Sequence, residues 1–460
     1  MTLILRRLLP LAVLLALAAA PQAHASKSQE MLFEAPRDLL NAQTRDEAFE
    51  TLDDLGVRAL RIVLYWYDVA PDRDSRVRPS ADLTDPAVYD WGKYAPAIEE
   101  AARRGWKVQL TVSGPVPRWA TNGARDTVTR PNPTQFQAFV TAVARRFGGQ
   151  VARWSIWNEP NHPNFLRPQF SGGKPASPGI YRNLYAAALR GLQAAGDRKP
   201  VLFGETAPTG TSKMVAPLTF LRSALCLNAK YKRVGKCSRL RIDGYAHHPY
   251  TTRKGPFYKP ASPNAVTIGA LSRLTTALDR AAKAKAVKAK LGIYLTEFGI
   301  QSVPDPYYGV SYATQSDYRS WSERIAYENP RVKAFSQYLL TDDDPDHGGG
   351  PRYSGFESGL RSATGRDKPA LDGFRLPLVA KRRGGKVSLW GLVRPAHGRT
   401  TAVVEYRDPG KGWKTLFNVT TDSRGYFVRS SAYRSGRVWR LRWTAPDGRR
   451  YAGTTTKSYK

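Results

Sequence analysis

Two glutamates stand at the ends of apolar runs. Val151–Asn161 (VARWSIWNEPN) reads as a buried strand ending in Trp157-Asn158-Glu159-Pro160, and Leu291–Thr296 (LGIYLT) reads as a second that ends at Glu297. A carboxylate is costly to bury unless it is paired. A lone glutamate at a strand end is ordinarily an ion-pairing residue. Two of them facing one cleft suit a different task, the hydrolysis of a glycosidic bond. One, kept protonated, gives its proton to the leaving oxygen, and the other, ionised, attacks the anomeric carbon. Mutual repulsion keeps one proton on such a pair.

The elements around them decide whether the pair can meet. Short apolar runs alternate with amphipathic runs through the first 380 residues. Strands are expected at Gln29–Ala35, Ala59–Trp66, Lys107–Ser113, Val151–Trp157, Pro200–Gly204, Arg241–His247, Leu291–Thr296 and Val332–Leu340. Helices are expected at Thr44–Leu55, Tyr89–Arg104, Pro133–Phe147, Ser177–Ala195, Met214–Leu227, Ala265–Ala284, Gln315–Tyr327 and Lys368–Leu376. Regular β–α alternation implies a parallel sheet, and eight such units fit a (β/α)8 TIM barrel over residues 26–380. A doubly wound open sheet is disfavoured, because no glycine-rich turn follows the first strand. In a barrel, Glu159 ends strand four and Glu297 ends strand seven, at the same mouth.

The pattern changes at Lys381-Arg382-Arg383-Gly384-Gly385-Lys386, a basic stretch that reads as a linker. Beyond it, runs at Val387–Val393, Thr401–Tyr406, Trp413–Val419, Tyr426–Ser430, Val438–Trp443 and near Tyr451 are parted by turn residues. Residues 381–460 are therefore expected to form a small all-β sandwich of immunoglobulin or fibronectin type. They hold 19 Lys and Arg against 4 Asp and Glu, a surplus of 15 within a chain whose formal net charge is +33. Such a field attracts polyanions, although an arginine-rich surface also serves solvation. An anionic polysaccharide or a cell-wall polymer is the expected partner, not nucleic acid, because the N-terminus points to export.

That N-terminus runs Met1-Thr2-Leu3-Ile4-Leu5-Arg6-Arg7, then apolar from Leu8 to Ala20, then Ala23-His24-Ala25. This is the pattern of a secretory signal peptide over residues 1–25, and its apolar run is short for a membrane span. No other run is long enough to cross a bilayer. The chain has two cysteines, Cys226 and Cys237. In an exported protein they are expected to form a disulfide, contributing on the order of 3 kcal/mol. Two cysteines are too few for a thiolate zinc site; no metal and no cofactor is expected.

Asn-Glu-Pro on strand four, Thr-Glu-Phe-Gly on strand seven and eight βα units resemble clan A of the glycoside hydrolases, which includes the cellulase-like family five and the xylosidase-like family thirty-nine. The resemblance covers about Gln29–Pro377. It implies Glu159 as acid/base, Glu297 as nucleophile and retention of anomeric configuration. It further implies that Arg61 steadies the nucleophile and Asn158 holds the sugar 2-hydroxyl. His248 and Tyr250 match a strand-six His-x-Tyr, with Tyr250 donating to the nucleophile and His247 as the alternative histidine.

The sequence also departs from the clan. Strand eight carries no tryptophan, so either Tyr338 or another aromatic forms the sugar platform or the −1 subsite differs, and strand three lacks the histidine common in family five. Trp119 is the expected platform among Tyr65, Trp66, Trp157, Phe165, Tyr307 and Tyr308, each of which core packing would equally explain. Asp342-Asp343-Asp344 with Asp346 and His347 reads as a solvated loop, with hydroxyl or calcium binding as the alternative. The function that follows is an exported retaining glycosidase acting on a polysaccharide or oligosaccharide. The alternative is a non-catalytic carbohydrate- or wall-binding protein on a degenerate barrel.

Overall fold

The computed structural model describes residues 26, 28–346 and 351–460; the expected signal peptide and His347 lie outside them. Eight strands close into an all-parallel barrel. They are β1 (Glu30–Glu34), β2 (Ala59–Tyr65), β3 (Lys107–Ser113), β4 (Val151–Ile156), β5 (Val201–Thr206), β6 (Gly244–His247), β7 (Gly292–Leu295) and β8 (Val332–Tyr338). β8 closes the ring on β1 in continuous register from Glu30–Ala334 to Glu34–Tyr338. All eight expected strands are present in the expected order.

Side-chain alternation along each strand does the sorting. On β2, Leu60, Ile62 and Leu64 join the large core between sheet and helices. Ala59 joins Leu32 and Ala334 in a separate small cluster. That parity puts Arg61, two residues further on from Ala59, inside the barrel with Glu34 of β1. Phe49 and Leu52 of α1 (Arg45–Asp54), Ile98 of α2 (Ala95–Arg103) and Phe139 and Val143 of α3 (Pro133–Phe147) seal one side. α4 (Ser177–Ala194), α5 (Pro217–Ala224), α6 (Leu271–Lys283) and α7 (Tyr312–Tyr327) complete the ring, and α8 (Pro369–Arg375) ends the barrel. Several helices begin later than the periodicity implied. Pro217 opens α5 in its first turn, where its missing N–H costs nothing, and a 3-10 turn at Ile268–Ala270 precedes α6.

The Lys381–Lys386 stretch is not a linker. It is the tip of a hairpin between β9 (Leu378–Arg383) and β10 (Lys386–Leu392), paired antiparallel from Leu378–Gly391 to Arg383–Lys386. β11 (Thr401–Arg407), β12 (Lys414–Thr420), β13 (Tyr426–Ala432), β14 (Val438–Thr444), β15 (Arg450–Ala452) and β16 (Thr456–Tyr459) follow. The result is a mostly antiparallel β-sandwich. β16 pairs with both β9 and β14, so it joins the two halves into one path. Leu389, Val404, Trp439 and Leu441 centre its core. The module is fastened to α7: buried Glu323 accepts from Arg319 at 2.5 Å and from Arg394 at 2.8 Å, and Arg324 reaches the Ser388 carbonyl at 3.1 Å. No helix among the described residues is long and apolar enough to cross a membrane.

Candidate active site

The site sits where the strands end. β4 runs out at Ile156, and the chain turns through two residues with positive φ, Trp157 at +69° and Glu159 at +39°. Non-glycine residues hold that conformation only when their surroundings impose it. The imposing contacts are visible. The buried Trp157 donates from Nε1 to the Phe165 carbonyl at 3.0 Å, and its ring lies so close to Gly114 that a Cβ there would meet it at 2.6 Å. The Glu159 amide donates to the Glu205 carbonyl at 3.0 Å. The turn thereby aims the Glu159 carboxylate into the barrel mouth.

Across the mouth stands Glu297, beyond the end of β7. Oxygen atoms of Glu159 and Glu297 and a ring nitrogen of His248 all lie within 4.8 Å of one another. Arg61 is fully buried and works on several partners at once. Its Nη1 donates to Glu297 Oε2 at 2.8 Å and to Glu34. Its Nη2 donates to Glu205 Oε2 at 2.7 Å and to Asn158 Oδ1 at 2.6 Å. Because Oδ1 of Asn158 is taken, its Nδ2 is the end left to donate to a ligand. The Tyr250 hydroxyl donates to Glu297 Oε1 at 2.8 Å, and His248 Nδ1 lies 3.0 Å from Glu159 Oε1 and 3.6 Å from Glu297 Oε2.

The charges sort accordingly. Burial, reinforced by the nearby charge of Glu297, pushes the Glu159 carboxyl well above the usual range. Burial also raises Glu297, against the opposing pull of Arg61 and the Tyr250 hydrogen bond. Because Arg61 and Tyr250 both donate to Glu297 and so favour its ionised form, the proton on the pair belongs on Glu159. Burial and Arg61 push the His248 imidazole well below its ordinary value, so it is neutral. Glu34 is raised to about 8, by burial first, then by repulsion from Glu297 and Glu205 against the pull of Arg61.

The structure thus gathers Glu159, Glu297, Arg61, Asn158, His248 and Tyr250 at one mouth. His247 is not the histidine that lines it. Its ring is buried between Thr206 Oγ1 at 2.9 Å and the Val266 carbonyl at 2.8 Å. Trp119 is not an open platform. It is 8% exposed, edge-on to Trp66 at 5.5 Å, with Nε1 donating to the Pro71 carbonyl at 3.0 Å. Trp66 and Trp157 are core as well. The rings that line the cavity beside Glu34 and Arg61 are Tyr65, Tyr94 and Tyr338, while Tyr307 and Tyr308 project from a loop beyond β7. Asp342 is not part of a solvated loop: it is buried against Lys368 Nζ at 2.6 Å.

Sequence reasoning missed Glu34 and Glu205. Glu34 is the last residue of β1 and Glu205 the last but one of β5. The expected strand Pro200–Gly204 stops one residue short of Glu205. Glu205 has φ +45° and accepts from Thr111 Oγ1 at 2.9 Å as well as from Arg61.

Glu159, His248 and Glu297 have the spacing of a metal-ligand set. The Arg61 guanidinium beside Glu297 opposes a cation there, since it already neutralises the carboxylate that would bind it.

No protein-family model matches the sequence, and no curated protein matches it. Solved structures do. A glucosidase from Croceicoccus marinus aligns with a TM-score of 0.53 over 91% of this chain and 95% of its own, at 11% identity. A family 39 glycoside hydrolase from Bacteroides cellulosilyticus WH2 aligns at 0.53 over 90% of this chain and 81% of its own, at 15% identity. A monomeric β-xylosidase from Caulobacter crescentus CB15 aligns at 0.51 over 91% and 97%, at 17% identity. At these identities the likeness establishes the fold, a TIM barrel followed by a β-sandwich.

Proposed function

We propose that the protein is a retaining glycoside hydrolase acting on a polysaccharide or oligosaccharide. The observation that carries this reading is the pair Glu159 and Glu297, with carboxylate oxygens within 4.8 Å of each other. Retaining enzymes hold their carboxyl groups about 5–5.5 Å apart, whereas inverting enzymes leave roughly 6.5–9.5 Å for a water. The similar structures include a glucosidase, a family 39 glycoside hydrolase and a β-xylosidase, which supports the same reaction class.

In the first step an oxygen of Glu297 attacks the anomeric carbon, and Glu159 gives its proton to the departing glycosidic oxygen. A glycosyl ester on Glu297 results. In the second step the Glu159 carboxylate takes a proton from water, the water oxygen attacks the anomeric carbon, and the bond to Glu297 breaks. Both glutamates return to their starting forms. Arg61 and Tyr250 hold Glu297 ready, and Asn158 Nδ2 donates to the sugar. Tyr65 and Tyr338 offer ring faces in place of the tryptophan that strand eight lacks.

The test is turnover of a panel of aryl β-glycosides and polysaccharides by the full chain and by Glu297→Ala. Turnover that the variant loses supports the reading; turnover that it retains refutes the nucleophile. Residues 1–25 lead to the further proposal that the protein is exported, checked by sequencing the N-terminus of secreted material, which should begin at Ser26. The basic C-terminal module is proposed to retain the enzyme on an anionic wall polymer. Retention should weaken as salt rises.

A further inference from the structure

A second concave site lies on the side wall of the barrel. The disulfide between Cys226 and Cys237 closes a loop of ten residues, 227–236. Lys230, Lys232, Arg233 and Lys236 lie within it, and no acidic residue does. The loop packs beside α6, and a cavity of about 350 Å³ opens where they meet α5. Arg222, Arg273 and Arg280 line it, and no carboxylate does.

The three arginines are held in place by neutral groups. Arg222 donates to Asn264 Oδ1 at 2.9 Å and to Thr219 Oγ1 at 3.3 Å. Arg273 donates to the carbonyls of Ser262 at 2.7 Å, Pro260 at 3.0 Å and Ala265 at 3.1 Å. The guanidinium groups of Arg222 and Arg280 both lie over the Tyr231 ring, at 5.6 and 5.4 Å from its centre. Among the described residues none of the three has a carboxylate partner; the nearby acid on α6, Asp279, is taken by Arg331 at 2.5 Å. The C-terminal module contrasts with this. There Arg437 pairs with Asp408, and Arg440 and Arg442 share Glu405.

Bringing like charges together without a counter-charge costs free energy that an incoming anion recovers. Guanidinium forks bind carboxylate and sulfate oxygens with two parallel hydrogen bonds. We propose that this cavity is an anion-binding site for a carboxylated or sulfated glycan, seating one acidic group among Arg222, Arg273 and Arg280. Lys230, Lys232 and Lys236, exposed on the loop, extend the contact to neighbouring acidic sugars. A nucleic acid backbone asks for cations strung along a surface to match its phosphates; here the fixed arginines converge on one cavity. The site lies apart from the barrel mouth and does not depend on the reaction proposed there.

The experiment measures binding of oligogalacturonate, a chondroitin sulfate oligosaccharide, neutral xylo-oligosaccharide and single-stranded DNA to the full chain by calorimetry. It compares the wild type with Arg273→Ser/Arg280→Ser and with Arg429→Ser/Arg434→Ser, which removes equal charge from exposed positions of the module. Equal melting temperatures establish that both variants are folded. An acidic oligosaccharide should bind the wild type, and the α6 pair should weaken it about tenfold or more. Titrated at a salt concentration that screens the diffuse attraction of the C-terminal module, the module pair should change it less than about twofold, and any binding of the neutral oligosaccharide should be the same in all three proteins. Equal losses in both variants would show a diffuse field and overturn the site. No binding of either acidic oligosaccharide would also overturn it, and tighter binding of DNA through the same arginines would overturn the glycan assignment.

Discussion

Glu159 and Glu297 present carboxylate oxygens within 4.8 Å of each other, although they follow strands with two others between them in the barrel. They are kept there by different means. Glu159 is aimed by a backbone with positive φ and a tryptophan pinned on Gly114. Glu297 is held by its side-chain partners Arg61 and Tyr250. The two should therefore respond differently to substitution.

Glu159→Ala should separate substrates by leaving group. With an alkyl or sugar leaving group, kcat should fall about 10²–10⁴-fold, because the departing oxygen needs a proton. With a 2,4-dinitrophenyl glycoside the first step should be nearly unaffected, and added azide should restore turnover of the glycosyl ester. Steady-state kinetics on the two substrate types is the check. Equal losses on both would count against Glu159 as the acid.

The alkaline limb of kcat/KM should belong to Glu159. Activity requires its proton, and burial beside Glu297 raises its carboxyl. Activity should thus persist well above the ordinary carboxylate range and fall only as pH passes the raised value. In Glu159→Gln, assayed with the dinitrophenyl substrate, that limb should disappear.

Stability should carry the signature of Glu34. Its carboxyl is raised to about 8 in the fold, against about 4.3 in an unfolded chain. Between those values the folded state binds a proton that the unfolded state has lost, so stability falls as pH rises through the window. The melting temperature should drop between pH 5 and 8. Glu34→Gln, which imitates the neutral acid, should flatten that slope; an unchanged slope would remove Glu34 as its source.

Arg61→Met should be costly in two ways. It leaves Glu34, Glu205 and Glu297 without their shared cation, a loss of about 3–5 kcal/mol for a broken buried pair. In whatever fraction folds, the acid limb of the pH profile should move upward, because Glu297 loses the charge that favours its ionised form. Chemical denaturation and a pH profile measure the two effects separately.

The aromatic residues should divide by burial. Trp119→Ala should destabilise the protein by about 3–5 kcal/mol, as a large core deletion does, with KM little changed. Tyr338→Ala, in the cavity beside Arg61, should raise KM at smaller cost in stability. Denaturation midpoints and KM for both variants test the division.

Much of this was legible in the chain. The strand-ending glutamates, the eight alternations and Arg61 among Leu60, Ile62 and Val63 follow from period and polarity, because a parallel barrel buries its strands on both faces. A tryptophan after Pro117-Arg118 looks like an open loop residue, and nothing local reveals that Trp66 and the Pro71 carbonyl take the face and the N–H of Trp119. The linker reading of Lys381–Lys386 failed for a related reason. Consecutive basic residues with two glycines describe a hairpin tip as well as a tether, and only the cross-strand pairing of Leu378–Arg383 decides. Glu205 was hidden by one residue, since Gly204 looked like a strand end when the strand continues through it to Thr206.

The configuration of the first-formed product tests the roles of Glu159 and Glu297 together. Proton NMR during hydrolysis of a β-glycoside that the protein turns over resolves the α and β anomers before they equilibrate. Double displacement gives the β anomer first, through a glycosyl ester on Glu297. The α anomer first would mean inversion by a single displacement and would contradict it.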